Sequence, residues 1–388
     1  MKQNKDLSIY IHYPFCLSKC PYCDFNSYKL SAINQVDFLN AYLLEIESYY
    51  NLLKNREIKT IFFGGGTPSI MSIDFASKIL NKINDLWGIG DVEISMEANP
   101  TTVEINKFYD FNKVGINRLS IGVQSLSDDW LKFFGRIHNR TEAIKAIEIA
   151  QKIFDKKYSI DLIYARPKQK VGEWLTELEE VVNLSPYHIS LYQLIVEEGT
   201  EFFRKKVKTL SDKKASEMYN ITNEFLESKN ISMYEVSNYA KSGFECQHNL
   251  NYWNSGEWVG VGAGAHGKVC FGVDFVDGYK IRTGIENYKS PQKWMECVLR
   301  NGFGCEIKES LIKEEFIEEV LLMGLRLKNG ININNIKKYL NIDDVKEIVS
   351  NNYFELADKN IVNIDNNILK VNIEYFNILD SVIERLIK

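Results

Sequence analysis

Residues 10–25 read Tyr10-Ile-His-Tyr-Pro-Phe-Cys16-Leu-Ser-Lys-Cys20-Pro-Tyr-Cys23-Asp-Phe25, a run that places three cysteines within eight residues. The run begins in a short apolar segment typical of a β-strand, so the cysteines fall on the loop after that strand. Three thiolates on one tight loop can bind three irons of a [4Fe-4S] cluster. The fourth iron then has no protein ligand, and a small chelating molecule can bind at its open position.

A structural zinc site is the alternative explanation of these cysteines. Structural zinc is normally held by four protein ligands in paired spacings. Here the fourth ligand would have to be His12 or a distant residue. The chain has seven cysteines in all, and this odd number favours a reducing compartment and metal binding over a disulfide framework.

A second unusual segment reads Ile61-Phe62-Phe63-Gly64-Gly65-Gly66-Thr67-Pro68 and runs from a predicted strand into three glycines. Glycine lacks a Cβ atom, so a ligand can approach the backbone there and pair an amino group with carbonyl oxygens. A plain tight turn is the alternative for an isolated glycine run. The position of this run after the next strand, on the face of the cysteines, favours a ligand site.

Short apolar β-type segments alternate with longer segments of helical period from residue 7 to about residue 240. This alternation predicts an α/β fold with parallel strands and crossover helices. The predicted strands are 8–13, 60–63, 91–97, 118–124, 158–163, 188–194 and 232–236, and the predicted helices include 36–53 and 73–86. Ligand chemistry in such folds lies at the carboxyl ends of the strands. Glu97 and Gln124 stand at two of these ends.

The rest of the chain changes character and predicts two further segments. Residues 243–272 are rich in Gly, Trp and Asn, too irregular for another strand–helix unit, and we expect them to cap the barrel or link domains. From about residue 309 the pattern is helical, at 314–327, 333–340 and 343–351, followed by a hairpin at about 360–371 and a final helix. The predicted divisions are 1–240, 241–305 and 306–388, the last a small helical, winged-helix-like domain.

Charge and hydropathy argue against several classes of function. The 388 residues carry a formal net charge of −5, which gives no general attraction to nucleic acid or anionic lipid. The sequence has no apolar run long enough for a membrane helix, and its polar first six residues lead into an apolar stretch too short for a secretory signal. We therefore expect a cytoplasmic protein without a nucleic-acid partner.

These motifs resemble those of the radical SAM superfamily, in the branch that contains oxygen-independent coproporphyrinogen dehydrogenases and HemW-type haem chaperones. The likeness runs from about residue 7 to residue 267 and is weaker beyond. It implies a partial (β/α)6 radical SAM barrel, a HemN-C-like C-terminal domain, a [4Fe-4S] cluster on Cys16, Cys20 and Cys23, and bound S-adenosylmethionine (SAM). It also implies a cofactor pocket formed by Tyr10, Tyr22, Gly65, Gly66, Thr67, Glu97, Gln124, Arg136 and Asp161.

The charged members of this set suit such a pocket chemically. Glu97 and Asp161 can accept hydrogen bonds from ribose hydroxyls or an ammonium group, and Arg136 can hold a carboxylate with two parallel hydrogen bonds. A surface ion pair is the alternative for each of them taken singly.

Two features separate the branches of this family. The dehydrogenase pattern adds a fourth cysteine two residues after the third, where this chain has Phe25, as HemW-type proteins do. Residues 246–253 read Cys246-Gln-His-Asn-Leu-Asn-Tyr-Trp253 and resemble the H-N-x-x-Y-W signature implicated in haem binding. The resemblance makes His248 the leading axial ligand, ahead of Cys246, with Tyr252 and Trp253 against the macrocycle. The alternative is that His248 satisfies buried backbone groups and that the aromatic residues are core.

The function implied by the resemblance is that of a haem chaperone, which binds haem and a SAM-liganded cluster and transfers the haem to an acceptor protein. The acceptor would be a membrane haemoprotein of the respiratory chain, which would bring the chaperone to the membrane periphery, and a homodimer is compatible with this reading. The first alternative is an oxygen-independent coproporphyrinogen III dehydrogenase that forms protoporphyrinogen IX. The second is a zinc-stabilised binding module without redox chemistry.

Overall fold

The computed structural model describes residues 5–29, 33–272 and 275–387, and a twelve-stranded sheet dominates this described part. The strands are β1 (Asp6–Tyr13), β2 (Phe15–Cys16), β3 (Tyr28–Lys29), β4 (Glu57–Gly65), β5 (Glu93–Ala98), β6 (Arg118–Gln124), β7 (Tyr158–Tyr164), β8 (His188–Gln193), β9 (Ser232–Glu235), β10 (Asn238–Ala240), β11 (Trp258–Val261), β12 (His266–Val269), β13 (Thr283–Asn287), β14 (Cys305–Ser310), β15 (Ile331–Asn332), β16 (Val362–Asp365) and β17 (Ile368–Val371).

The helices in the described ranges alternate with these strands. They are α1 (Gln35–Leu52), α2 (Ile73–Trp87), α3 (Thr102–Ile105), α4 (Phe108–Lys113), α5 (Asp128–Phe133), α6 (Arg140–Phe154), α7 (Val171–Asn183), α8 (Glu201–Arg204), α9 (Asp212–Ser228), α10 (Gln247–Trp253), α11 (Pro291–Asn301), α12 (Lys313–Gly324), α13 (Ile333–Ile336), α14 (Asn352–Asp358) and α15 (Leu379–Leu386), with 3-10 turns at Pro68–Ile70, Val345–Ile348 and Ile373–Ile378.

The middle of the sheet is a partial barrel of parallel strands in the order β1-β4-β5-β6-β7-β8. Side chains of a strand alternate between its two faces. On β7, Ile160 and Leu162 belong to the hydrophobic core, whereas Ser159 and Asp161 face the interior of the barrel. The predicted partial (β/α)6 barrel is confirmed.

Six predicted strands coincide with these six to within three residues at each end, but the seventh prediction, at 232–236, has the wrong direction. There β9 pairs antiparallel with β10 at the edge of the sheet. Only residues 236 and 237 connect the two strands. A connection this short makes a hairpin, because a parallel crossover needs a dozen or more residues.

Residues 243–272, expected to be too irregular for another strand–helix unit, contain the helix α10 and the strands β11 and β12. Strand β11 pairs parallel with β1, opposite Ser8 to Ile11, and β12, β13 and β14 extend the sheet in antiparallel order. Strand β1 therefore has a neighbour on each side. The divisions at 240/241 and 305/306 stay a prediction, and the sheet continues across the first of them.

Helix α10 closes the amino-terminal end of the barrel. Within α10, His248 has its Nδ1 atom 2.7 Å from the hydroxyl of Thr60 on β4, and its backbone N–H donates to Glu93 at the start of β5. Arg118, the first residue of β6, donates to the carbonyl of Phe244 just before α10. We call α10 and the residues leading into it the barrel floor. The cysteine loop, residues 16–25, follows β2 at the opposite end.

The C-terminal part contains a three-stranded sheet in the order β15-β17-β16, with α12, α14 and α15 near it. The hairpin predicted at about 360–371 is present as β16 and β17. The helix predicted at 343–351 is wrong, because Asp344 caps only a short 3-10 turn, Val345–Ile348, before α14 begins. In the ranges described above, no helix is both long and apolar enough to cross a membrane.

Glu45 fastens the extended half of the sheet to α1. Its fully buried carboxylate accepts hydrogen bonds from the backbone of Gly262 at 3.0 Å and Gly304 at 2.9 Å, and from the side chains of Trp294 at 3.0 Å and Asn287 at 3.2 Å. Burial raises the pKa of Glu45 to about 7 despite these donors. The carboxylate thus accepts from four residues spread over positions 262–304.

We expect Glu45→Leu to lower the free energy of unfolding by at least about 3 kcal/mol, because it leaves buried donors without an acceptor. The matched control is Glu47→Leu on the same helix, which breaks only an exposed contact to Lys82 and should cost under about 1 kcal/mol. Urea unfolding followed by circular dichroism measures both changes. Equal losses in the two variants would contradict the fastening role.

Candidate functional site

A cavity of about 570 Å³ lies inside the barrel, between the cysteine loop and the floor. Strands β1 and β4 to β8 form its wall. Its lining includes the three cysteines and every residue that the resemblance assigns to the cofactor pocket: Tyr10, Tyr22, Gly65, Gly66, Thr67, Glu97, Gln124, Arg136 and Asp161. His248 and Tyr252 line its far end, whereas Trp253 lies outside the lining.

Each cysteine thiol has a polar neighbour that can stabilise a thiolate. The Thr67 hydroxyl donates to Cys16 Sγ at 3.4 Å, and the Arg136 guanidinium donates to Cys20 Sγ at 3.4 Å. The Ser27 hydroxyl is 4.0 Å from Cys23 Sγ. Burial raises the pKa of Cys16 and of Cys23. Binding to a metal would oppose this effect, because a coordinated thiol is deprotonated.

The arrangement suits a cluster better than a single zinc ion. Among the residues with described positions, no three His, Cys, Asp or Glu side chains converge as ligands of one ion do. In an iron–sulfur cubane each thiolate binds a different iron, so the thiols stand apart. His12, the proposed fourth zinc ligand, donates from Nε2 to the carbonyl of Asn26 at 3.0 Å and accepts from the hydroxyl of Tyr10 at 3.1 Å. Burial lowers its pKa to about 4, so the ring is neutral.

The glycine segment is shaped by the packing of protein against protein. Gly65 has φ +113°, and a Cβ atom there would lie 2.7 Å from the ring of His12. A Cβ atom on Gly66 would lie 2.6 Å from the carbonyl oxygen of Phe15. The N–H of Thr67 donates to that same carbonyl at 2.8 Å. The space freed by the missing side chains is therefore filled by residues of the chain itself, whereas both glycines also line the cavity, and the pairing of a ligand with their backbone stays a prediction.

Two carboxyl groups, of Glu97 and Asp161, line the cavity. Glu97 accepts a hydrogen bond from the N–H of Gly65 at 3.1 Å, and Asp161 accepts from the hydroxyls of Ser120 at 2.6 Å and Ser159 at 2.7 Å. Burial and the charge of Asp161 raise the pKa of Glu97 to about 8. Burial also raises the pKa of Asp161, against its serine donors. Glu97 is therefore largely protonated at neutral pH until a cationic ligand approaches it.

Gln124 and Arg136 prepare the cavity wall for a polar ligand. Gln124 has φ +67°, unusual for a residue with a side chain, and its Oε1 atom is buried without a hydrogen-bond partner. A hydroxyl or ammonium of a ligand would satisfy that oxygen. Arg136 donates to the carbonyl of Gly122 at 2.8 Å and to the side-chain oxygen of Asn99. These contacts, with the one to Cys20, place its guanidinium in the cavity wall and not in a surface ion pair.

Tyr22 anchors the cysteine loop through a small separate core. Its ring centroid is 5.4 Å from that of Phe134 and 6.1 Å from that of Phe202. The N–H of Phe202 donates to the carbonyl of Pro21 at 2.9 Å. This contact holds the loop between the second and third cysteines against the outer rim of the barrel.

The predicted haem residues lie in the floor. The side chain of Thr60 donates to Ser8 and accepts from His248 Nδ1, which leaves His248 Nε2 to accept from the Tyr252 hydroxyl at 2.8 Å. His248 is 1% exposed, and burial lowers its pKa to about 3. Cys246 donates to Glu93 at 3.5 Å. Both ring nitrogens of His248 are thus engaged, by side chains and not by the backbone groups of the alternative reading.

The sequence interpretation missed four serines that give the cavity its polarity. Ser95, Ser120, Ser159 and Ser190 are on β5, β6, β7 and β8 and all line the cavity. These serines could have been found from polar residues that recur at every second position of otherwise apolar strands, as in Ser159-x-Asp161. Every second residue of a strand lies on the same face. Reading these strands as uniformly apolar concealed a polar interior.

Comparisons with known proteins agree with this geometry. Residues 10–181 match the Radical SAM superfamily. The chain is 42% identical to the heme chaperone HemW of Buchnera aphidicola, over 68% of this chain and 70% of that protein. It is 41% identical to HemW of Escherichia coli, over 71% and 73%. It is also 32% identical, over 98% and 87%, to the mitochondrial radical S-adenosyl methionine domain-containing protein 1 of Danio rerio.

Among solved structures, coproporphyrinogen III oxidase (HemN) of Escherichia coli has a TM-score of 0.80 at 20% identity, covering 99% of this chain and 91% of that one. That likeness shows a shared fold. A partial parallel barrel with three cysteines at its carboxyl end defines the class, that of the radical SAM proteins. With HemW relatives at about 40% identity, the chain belongs to the HemW-type family of this superfamily.

Membership of this family implies a [4Fe-4S] cluster and SAM. The residues present fit both groups, because three thiols with polar neighbours line one cavity with Glu97 and the unpartnered oxygen of Gln124. When bound, the two groups supply one-electron chemistry to the cavity. The chain itself supplies thiolates, hydrogen-bond acceptors and a carboxyl group that can release a proton.

We expect the affinity for SAM, a sulfonium cation, to rise as the pH increases through about 8, because ionised Glu97 attracts a cation and protonated Glu97 does not. Glu97→Gln should remove this component of the pH dependence and weaken binding roughly tenfold, the effect of one charged hydrogen bond. Titration calorimetry on anaerobically reconstituted protein measures the SAM affinity. The pH range is 6.5 to 9, on the order of one unit either side of the pKa of Glu97. The control is Glu198→Gln, because Glu198 is exposed, and it should leave the pH dependence of SAM affinity unchanged. Glu104 cannot serve as the control because it is buried. An unaltered profile in Glu97→Gln would contradict this role.

Proposed function

We propose that this protein is a haem chaperone that binds haem, carries a SAM-liganded [4Fe-4S] cluster and passes the haem to an acceptor protein. The names of the relatives support the proposal, since two of them are called heme chaperone HemW. In this proposal Cys16, Cys20 and Cys23 hold the cluster, and the pocket residues around Glu97 hold SAM. The acceptor that we propose is a membrane haemoprotein of the respiratory chain, and a homodimer is compatible with the proposal.

The observation that carries the proposal is an exposed apolar rim at the mouth of the cavity, formed by Phe25, Tyr192 and Ile195. These side chains line the cavity and yet are 60%, 45% and 58% exposed. The ammonium group of Lys19 lies 3.4 Å from the carbonyl of Phe25. Grouped apolar side chains at a cavity entrance are typical of a ligand site. A flat apolar ring with anionic propionates, as in haem, suits a rim with one cationic neighbour.

The interior of the barrel suits SAM and not a macrocycle. Its wall carries Ser95, Ser120, Ser159 and Ser190 besides the two carboxylates. An apolar ring would offer no hydrogen bond to the carboxylates or to the hydroxyl of Ser95, which has no partner among the described residues of the protein. We therefore propose that the macrocycle lies on the rim, outside the cofactors. This position needs no rearrangement of the barrel.

Binding of haem iron to His248, with Tyr252 and Trp253 against the macrocycle, stays the competing prediction. It requires His248 to give up its hydrogen bond to Tyr252 or to Thr60. It also requires the macrocycle to enter the polar interior, because the imidazole is buried and lines the far end of the cavity. The rim requires neither change.

The chaperone proposal predicts that anaerobically reconstituted protein binds haem stoichiometrically and loses it to an apo-haemoprotein acceptor. Absorption spectroscopy follows both steps, and iron and acid-labile sulfide analysis establishes the cluster. The protein should not convert coproporphyrinogen III when supplied with SAM and reductant. Turnover to protoporphyrinogen IX would favour the dehydrogenase alternative, and protein that holds zinc without sulfide would favour the binding module.

The rim proposal predicts that Phe25→Ser combined with Ile195→Ser weakens haem binding at least about tenfold, because each exchange removes apolar surface worth about 1.5–3 kcal/mol when buried. Phe354→Ser is the matched control, since Phe354 is 61% exposed on α14, and it should bind haem normally. The haem would lie at the floor if two results were found together. His248→Ala would lose the spectrum of histidine-ligated haem iron, and the rim variant would bind haem with unchanged affinity.

A further inference from the structure

We infer that His248 is a positioning residue for the cysteine loop, acting through a column of rings that crosses the barrel from α10 to Asn26. The column consists of His248, Phe62, Tyr10 and His12. It gives the floor helix a role in holding the cluster ligands at the other end of the barrel. The inference stands apart from haem binding, since none of its contacts involves the rim.

The floor end of the column is fixed by polar contacts. Thr60 and Tyr252 engage the two ring nitrogens of His248 at 2.7 Å and 2.8 Å, and Glu93 engages its backbone N–H at 3.1 Å. These contacts come from β4, β5 and α10 itself. They leave the imidazole little freedom to rotate or withdraw.

Stacked rings form the middle of the column. The centroids of His248 and Phe62 are 5.1 Å apart with an interplanar angle of 26°, and those of Phe62 and Tyr10 are 6.2 Å apart with an angle of 21°. A Cβ atom on Gly64 would lie 2.9 Å from Cε2 of Tyr10 and 3.0 Å from its hydroxyl. Gly64 therefore leaves the space into which the Tyr10 ring fits.

The upper end of the column is hydrogen-bonded to Asn26, the residue directly after the cysteine loop. The Tyr10 hydroxyl donates to Nδ1 of His12 at 3.1 Å, and Nε2 of His12 donates to the carbonyl of Asn26, three residues after Cys23, at 3.0 Å. The side chain of Asn26 in turn donates to the carbonyls of Ala263 and Lys289, both at 3.0 Å. The end of the loop is thus held between the column and the extended part of the sheet.

A loss of contact at one end should be felt at the other because each ring rests on the next. Removing the imidazole of His248 leaves a space beside Phe62, and a densely packed interior fills such a space by shifting its neighbours. A shift of Phe62 releases Tyr10, and its hydroxyl then leaves His12. The glycine segment contributes to the same assembly, with Gly64 making room for Tyr10 and Gly65 for His12.

The test uses full-length protein with a reconstituted cluster and without haem. We expect His248→Ala and Gly64→Ala each to speed the loss of iron to a chelator and to weaken SAM binding, both by about tenfold, as is typical when partners of metal ligands are removed. The controls are Gln247→Ala, an exposed neighbour on α10, and Gly172→Ala, at a glycine with open space around it. Both controls should match the wild type. Circular dichroism confirms that each variant is folded.

Two further variants keep the inference testable if the alanine at 248 prevents folding. His248→Asn retains a polar side chain in the floor, and Tyr10→Phe removes only the hydroxyl that contacts His12. The double variant of His248→Asn and Tyr10→Phe should lose no more cluster stability than the worse single variant, because both changes break one column. If the effects of the two single changes on cluster loss multiply fully in the double variant, the inference is wrong. It is also wrong if both His248→Ala and Gly64→Ala keep the cluster and bind SAM as the wild type does.

Discussion

The close packing of the cysteine loop on the glycine segment is the contact on which the site depends. The N–H of Gly66 donates to the carbonyl of Tyr13 at 2.8 Å, and the absence of a side chain on Gly66 lets the backbone of Phe15 approach. The two segments follow adjacent strands, β1 and β4. Because this contact is made between backbones, it fixes the start of the cysteine loop independently of the rotamers of nearby side chains. Cys16 therefore emerges at a defined place on the barrel rim.

Proton binding and serine hydroxyls together lower the cost of burying two carboxyl groups in one cavity. Two fully charged carboxylates inside one cavity would repel each other and lack solvation. The raised pKa of Glu97 lets that carboxyl stay neutral, while serine hydroxyls neutralise part of the cost of burying Asp161. The interior therefore becomes more anionic when a cation enters. This change in charge requires only that the Glu97 carboxyl group release its proton.

Much of the fold and part of the site could be predicted from the sequence. The six parallel strands carry their own period of apolar residues, and β6 has the predicted bounds of 118–124. Strand β9 was assigned the wrong direction because direction depends on its pairing with β10, which local sequence does not encode. The cysteines were identifiable because their spacing is local. The contact of His12 with Asn26, and the serines of the cavity wall, depend on how distant strands face one another.

The extension of the sheet beyond β1 has a mechanical consequence. Strand β1 is hydrogen-bonded to β11 on one side and to β4 on the other, so the strand that leads into the cysteines is an interior strand. The antiparallel pair β9 and β10 terminates the sheet at the far side of the barrel, several strands away. The outer edge of β9 is itself covered, because the N–H of Val236 donates to the carbonyl of Arg326 and the N–H of Lys328 donates to the carbonyl of Tyr234. Local opening of a sheet begins where backbone pairing is incomplete, so the doubly paired strand that leads into the cysteines is among the last parts of the sheet to open.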